Sequence, residues 1–226
     1  MSITTQERNL KTAPLDVPTA IVQRRSIKAF KPDPISPELL KQLIALTVAA
    51  PSSFNTQSWR IVLVQEAAQK AALTEAAWGQ QQVAQAPVSF VFAADAYAGE
   101  KDLTPIFEQG RQTGAWSEGT INYFKNSIPQ FQVGLGDKRR EYAIKDAMIA
   151  STHLVLAAES LGLSTCFMNG WVEDKVKTVI GAENDEALAI AVIVPVGYAA
   201  EPRKNPGRLS FSHNVFMDRL GTPYEI

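Results

Sequence analysis

The chain has 226 residues, 46% hydrophobic and 20% charged, and its 22 Lys and Arg against 23 Asp and Glu leave a formal net charge of -1. That apolar share excludes a disordered chain, and the balanced charge excludes a global field drawing it to nucleic acid or an acidic membrane, so any anion site must be a local cluster. One Cys and two His, His153 and His213, exclude a disulfide framework or multi-thiolate metal centre, argue against an imidazole-rich one and fit a reducing cytosol.

At the N-terminus Glu7 and Arg8 stand among Ser, Thr, Gln and Asn with no apolar stretch after them, so no targeting address is expected. Ser36-Pro37-Glu38 opens a helix: Ser36 can cap it, Pro37 needs no amide partner and Glu38 complements the dipole. Leu39, Leu40, Leu43, Ile44 and Leu46 follow at helical spacing until Pro51. Ile61–Val64 reads as a short buried strand, 67–77 as a helix and 88–94 as a second strand. From 97 to 136 aromatic residues are scattered with weak periodicity, an excursion of irregular helices.

The segment 141–161 is a long helix, buried nearly all round because 147–158 holds no Asp, Glu, Lys or Arg. Strands at 165–168 and 187–196 flank a helix at 173–180, and the chain beyond Tyr198 is extended. The longest apolar runs fall short of the ~18 residues that suggest a membrane span. Strands alternate with long helical stretches, and no repeat or linker divides the chain, so one mixed α and β domain over 1–226 is expected. The expected setting is soluble and cytoplasmic, with neither membrane nor nucleic-acid partner.

Common catalytic signatures are absent from the sequence: it holds no His-Glu-x-x-His, Cys-x-x-Cys, Gly-x-Ser-x-Gly or phosphate loop. Gly134-Leu135-Gly136 starts like a dinucleotide fingerprint, but Arg139 stands at its third glycine position, and a turn between helices is the better reading. Two segments are informative. In an extended Arg24-Arg25-Ser26-Ile27-Lys28, alternate side chains share a side, making Arg24, Ser26 and Lys28 a comb suited to a phosphate group; a solvated basic patch explains the same residues. The run Pro51-Ser52-Ser53-Phe54-Asn55-Thr56-Gln57 clusters small donors and acceptors suited to the edge of a heteroaromatic ring, and a helix stop and turn explains it equally.

Together these segments resemble the N-terminal signature of FMN-dependent nitroreductases, and later segments keep step in order over about residues 18–215. They are Trp78-Gly79-Gln80-Gln81-Gln82-Val83 before Ala86-Pro87, Leu161-Gly162-Leu163-Ser164-Thr165-Cys166 running into Phe167-Met168-Asn169-Gly170-Trp171, Val196-Gly197-Tyr198, and Gly207-Arg208-Leu209. The resemblance implies an α+β fold with a central mixed or antiparallel sheet of about four to five strands flanked by helices, a long buried central helix, and an intertwined homodimer with two shared FMN sites. By matching positions, Arg24, Arg25, Ser26 and Lys28 would hold the phosphate, with Arg208 returning from the 200–226 extension of the same chain. Pro51, Ser52, Ser53 and Asn55 would reach the flavin of the partner chain. Gln82 would meet the pyrimidine side, and Phe167, Met168, Asn169 and Gly170 would run along the ring with the last two amides at its redox edge. Gly79 stands where the family often has Asn, Asn169 where Gly or Glu is common, and Pro206 where some members have a basic residue.

The implied activity is NAD(P)H-dependent, ping-pong reduction of nitroaromatic, quinone or similar acceptors, with no catalytic side chain because the flavin carries the chemistry. Dehalogenation, ene reduction and flavin reduction are alternatives on the same fold. Tyr123, Phe124 and Phe131 are candidates for a substrate lid, or else pack the excursion on the body. Cys166 reads as a buried thiol, with a thiol enzyme as the lesser alternative; His153 and Met148 read as core and His213 as a surface or interface residue. A module reading phosphoprotein or RNA through residues 24–28 is disfavoured by the balanced charge.

Overall fold

The computed structural model describes residues 13–224; the N-terminal stretch around Glu7 and Arg8 and the last two residues of the expected extension lie outside them. Its helices and strands run α1 (Val17–Gln23), α2 (Pro37–Val48), β1 (Trp59–Val64), α3 (Ala67–Ala76), α4 (Gln81–Gln85), β2 (Val88–Asp95), α5 (Thr104–Gln112), α6 (Glu118–Leu135), α7 (Arg139–Ser160), β3 (Ser164–Thr165), α8 (Glu173–Val179) and β4 (Leu188–Gly197). The expected cap is present: the Leu39 amide donates to Ser36 Oγ at 3.2 Å, with Pro37 in the first turn. Helix α1, not anticipated from the sequence, is capped likewise by Asp16, which accepts from the Thr19 amide at 2.8 Å.

The four strands lie in the order β1-β2-β4-β3, every neighbouring pair antiparallel. All of β2 and nearly all of β4 are buried, because helices cover both faces of these central strands and apolar side chains pack whichever way they point. On one face Phe90, Phe92 and Val194 meet α2 and the Ala-rich side of α7 (Ala143, Ala147, Ala150, Leu154). On the other, Val91 and Ile193 meet Leu73 of α3, Val83 and Val176 of α8. Strand β1 lies at the edge of the sheet, and only Trp59 and Val64 are fully buried in it, so the expectation of a buried strand holds only at its ends.

Three further expectations are corrected. Helix α7 is not buried all round: Ile149 and Thr152 stay exposed in line with Glu141 and Lys145, so its uncharged middle serves the sheet on one side only. The excursion is more regular than its sequence implies, since α6 runs 18 residues through Pro129. Its buried positions, Ile121, Ile128 and Gln132, form too thin a stripe to give strong periodicity. Strand β3 is only two residues long, though the amides of Cys166 and Met168 continue its pairing to the carbonyls of Pro195 and Ile193 at 3.2 and 3.0 Å.

Candidate functional site

Helix α1 ends at Arg24, where the backbone becomes extended. The Ile27 amide donates to the Thr165 carbonyl at 2.9 Å, and Ser26 makes an isolated parallel bridge with Thr165, so this segment runs beside β3. Ile27 drops into an apolar cluster with Phe30 and Ala86, while Ser26 and Lys28 on either side of it are exposed and Arg24 is half-buried. Burial alternates from Ser26 to Lys28 and breaks at Phe30, which is buried although it has the parity of Ser26 and Lys28. Arg25 points elsewhere: its Nη1 donates to the carbonyls of Val22 (2.7 Å) and Arg24 (2.8 Å), while its Nε is buried without a partner among the described residues. Burial pushes the Glu159 carboxyl of α7 up from its ordinary pKa, against the opposing pull of Arg24 and Arg25.

The turn after β3 adjoins the comb through Thr165. Cys166 and Met168 are buried, Phe167 and Gly170 half-buried and Asn169 exposed. Among the described residues the amides of Asn169 and Gly170 donate to no backbone carbonyl. A chain of amides ties this turn to α4: Gln82 Nε2 donates to Gln80 Oε1 at 3.0 Å, and Gln80 Nε2 to the Gly170 carbonyl at 3.1 Å. Gln80 is thus engaged inside the protein. A Cβ on Gly170 would lie 2.8 Å from the ring of Trp78, a close approach that only glycine allows. Trp78, largely exposed, and Gly79 both hold positive φ (57° and 71°), which turns the chain so that the indole lies on Gly170.

Pro51–Asn55 is built differently. Phe54, Asn55 and Gln57 hold φ of 50°, 55° and 48°, a region L-residues disfavour. The turn is held from within: the Gln57 amide donates to Ser52 Oγ at 2.9 Å, the Ser53 amide to Asp146 Oδ1 at 3.4 Å, and Ser58 Oγ to Asp146 Oδ2 at 3.1 Å. Tyr142 donates its hydroxyl to Ser53 Oγ. Burial raises the Asp146 carboxyl from its ordinary pKa, opposed by these Ser58 and Ser53 bonds. Phe54 packs edge-on to Phe124 and Phe131, each at 5.5 Å between centroids, so the excursion and this turn form one aromatic unit. Of the three lid candidates, Phe124 and Phe131 pack the excursion on the body, whereas Tyr123 is mostly exposed.

The structure does not bring the two regions together. The comb lies by β3, whose Thr165 pairs with Val196 and through it Val88; the turn leads into Trp59, which pairs with Ala94 at the other end of β2. That is about 20 Å along the strands and four strand spacings of ~4.8 Å across. Helix α7 gives the same measure lengthwise: Asp146 beside the turn and Glu159 beside the comb stand thirteen residues apart, a rise of about 20 Å.

Beyond the comb, the chain leaves the body alongside it, with Lys31 donating to the Tyr198 carbonyl at 2.8 Å and Ala200 to that of Ala29 at 3.0 Å. Residues 201–224 are then almost wholly exposed, including Leu209, Phe211, Met217 and Leu220. Arg208 lies in this arm, its Nη1 on its own Gly207 carbonyl at 2.6 Å. His213 is there too, its Nδ1 2.8 Å from Ser210 Oγ.

Comparison with known proteins fits this geometry. The profile of the nitroreductase family matches residues 21–198. The chain belongs to the nitroreductase family. An NADH dehydrogenase of Thermus thermophilus is 35% identical over 188 residues, 83% of this chain and 88% of the relative. An FMN reductase [NAD(P)H] of Bacillus subtilis is 30% identical over 150 residues, 66% of this chain and 52% of the relative. A crystal structure from Exiguobacterium sibiricum, solved in complex with FMN, shares the fold at a TM-score of 0.79 and 22% identity, covering 89% of this chain and 97% of that one. Within this nitroreductase-family chain no group of His, Cys, Asp or Glu could hold a metal, and no helix is long and apolar enough to cross a membrane, among the described residues. Cys166 is fully buried in the apolar cluster with Val91 and Ile193, unsuited to nucleophilic work.

Proposed function

We propose that this chain is an FMN-dependent oxidoreductase that uses NAD(P)H to reduce electron-poor acceptors, nitroaromatics and quinones foremost, as a cytoplasmic homodimer with two shared sites. One domain over 1–226 supplies half of each site. The observation that carries the reading is the separation of about 20 Å between the comb and the turn on α7, because a site that uses both needs two chains. The exposed apolar residues of the 201–224 arm, with Ile149 on α7, offer surface for that pairing.

The residues fit the cofactor. Arg24, Ser26 and Lys28 offer a fork, a hydroxyl and a point charge to a phosphate, and Arg25, whose Nε is buried without a partner among the described residues, would have to release the Val22 and Arg24 carbonyls to join them. Bound FMN would supply a redox carrier that accepts hydride from NAD(P)H and passes it to the acceptor in a ping-pong sequence. The amides of Asn169 and Gly170 would face its redox edge as fixed donors where negative charge develops. Gln82 would address the pyrimidine side, and Phe167 and Met168 would line the ring. Pro51, Ser52, Ser53 and Asn55 would reach the flavin of the other subunit, and Tyr123 would stand nearest the acceptor as part of the lid. Arg208, exposed in the 201–224 arm, would join the phosphate end.

The test is direct. Purified protein should be yellow, absorb near ~450 nm and bleach with NADH or NADPH, and sedimentation should give a dimer. A panel of nitroaromatics, quinones and enals then identifies the acceptor class. Protein that stays colourless when incubated with FMN overturns the reading.

A further inference from the structure

The 52–58 turn keeps a backbone that L-residues adopt only when their surroundings over-determine it. Its neighbours show what does so. Asp146 is buried, and its two carboxylate oxygens reach opposite ends of the strained stretch, the Ser53 amide before Phe54 and the Ser58 hydroxyl after Gln57. The charged groups that share its small cavity are engaged elsewhere: Asp95 of β2 with Arg60 and Lys101, and Arg139 of α7 with Glu100. No cation contacts Asp146 among the described residues, so its bonds to the turn are what it does there. A carboxylate without a cation is a poor stabiliser of a core, since an apolar residue of like size packs such a position without the desolvation penalty. It is, however, a good bracket for a turn that offers a donor at each end.

We propose that Asp146 is a positioning residue of the shared site, clamping the ends of the 53–58 turn so that Asn55 is presented to the flavin of the partner subunit. This rests on the two-chain site proposed above. The clamp acts by acceptance at two points, so an amide can replace it: Asn would accept from the Ser53 amide and donate to Ser58 Oγ, whose hydroxyl can turn. Ala can do neither.

The experiment compares intact wild-type protein with Asp146→Ala, Asp146→Asn, Ser58→Ala and Arg24→Ala. FMN is titrated into apoprotein by flavin fluorescence, and apoprotein is digested with chymotrypsin to follow cleavage after Phe54. Asp146→Ala should bind FMN at least tenfold more weakly and be cut after Phe54 several times faster. Asp146→Asn should stay within about threefold of wild type in both, and Arg24→Ala should lose FMN affinity without faster cleavage. Cleavage of Asp146→Ala at the wild-type rate, or an Asn variant as impaired as the Ala one, overturns the proposal. Should Asp146→Ala fail to fold, Ser58→Ala removes one arm of the clamp; wild-type affinity and cleavage there also overturn it. Wild-type protein that takes up no FMN refutes the function and this inference together, whereas FMN binding that Asp146→Ala leaves unchanged refutes this inference alone.

Discussion

The comb and the turn are both short polar segments beside the sheet, yet opposite physics shapes them. Residues 24–28 run beside β3 with no residue at positive φ, and Ser26 and Lys28 are exposed while Ile27 between them is buried. Residues 52–58 lie in disfavoured backbone, and the hydroxyls of Ser52 and Ser53 are engaged within the chain itself. The first region offers open donors on a frame that costs little; the second offers a shape that neighbours must maintain. A charged phosphate end needs donors, whereas the approach to a flat ring needs a contour.

The largest effect expected from breaking this contrast is at the comb. Arg24→Ala with Lys28→Ala should weaken FMN binding more than 100-fold, since each charge-assisted contact contributes about 1.5–3 kcal/mol; equilibrium dialysis measures it. Retention of FMN at wild-type affinity would move the phosphate elsewhere. Next is Gly170→Ala, whose new methyl meets the Trp78 ring at 2.8 Å. It should cost about 1–3 kcal/mol in denaturant unfolding, and Trp78→Ala in the same chain should recover most of that loss.

Glu159 sharpens the comparison from the other direction, as an anionic group beside the cationic comb. Glu159→Gln should tighten FMN binding roughly three- to tenfold at low salt, less at high salt. Its folded-state pKa is raised, so the folded chain holds this proton more firmly than the unfolded one. The associated stability is present below the ordinary carboxylate pKa and is lost as pH rises through the folded value. The Gln variant should therefore lose less stability between about pH 4 and pH 7 than wild type, measured by thermal unfolding. The smallest effect belongs to neither region: Cys166→Ala should keep full activity and lower thermal stability only slightly, by about 1 kcal/mol for a small buried cavity.

The contrast also explains what could be read before folding. The comb was legible because alternation is a local rule, and the cap at Ser36 because its chemistry lies within four residues. The order of signatures from Arg24 to Arg208 conveyed the family, and with it the sheet and the long helix. What could not be read depended on distant partners. Nothing near Phe54 announces a left-handed backbone; the reason is Asp146, some ninety residues on. Arg25 matches a phosphate-binding position, yet its Nη1 turns to Val22 and Arg24 because helix α1 ends there with free carbonyls. Nothing in the sequence marks this role for Asp146, which follows Lys145 at the end of the charged first half of α7, where a solvated face is the ordinary reading.

Helix α7 has a consequence at the level of genetics. Because it keeps the comb and the turn about 20 Å apart, damage to one and damage to the other would fall in different sites of the proposed homodimer. A subunit lacking Arg24 and Lys28 and a subunit lacking the turn clamp would each be inactive as pure dimers. Mixed in one cell, they should form hybrids with one site doubly broken and one wholly intact, so two defective alleles should complement and restore up to half of the activity per hybrid.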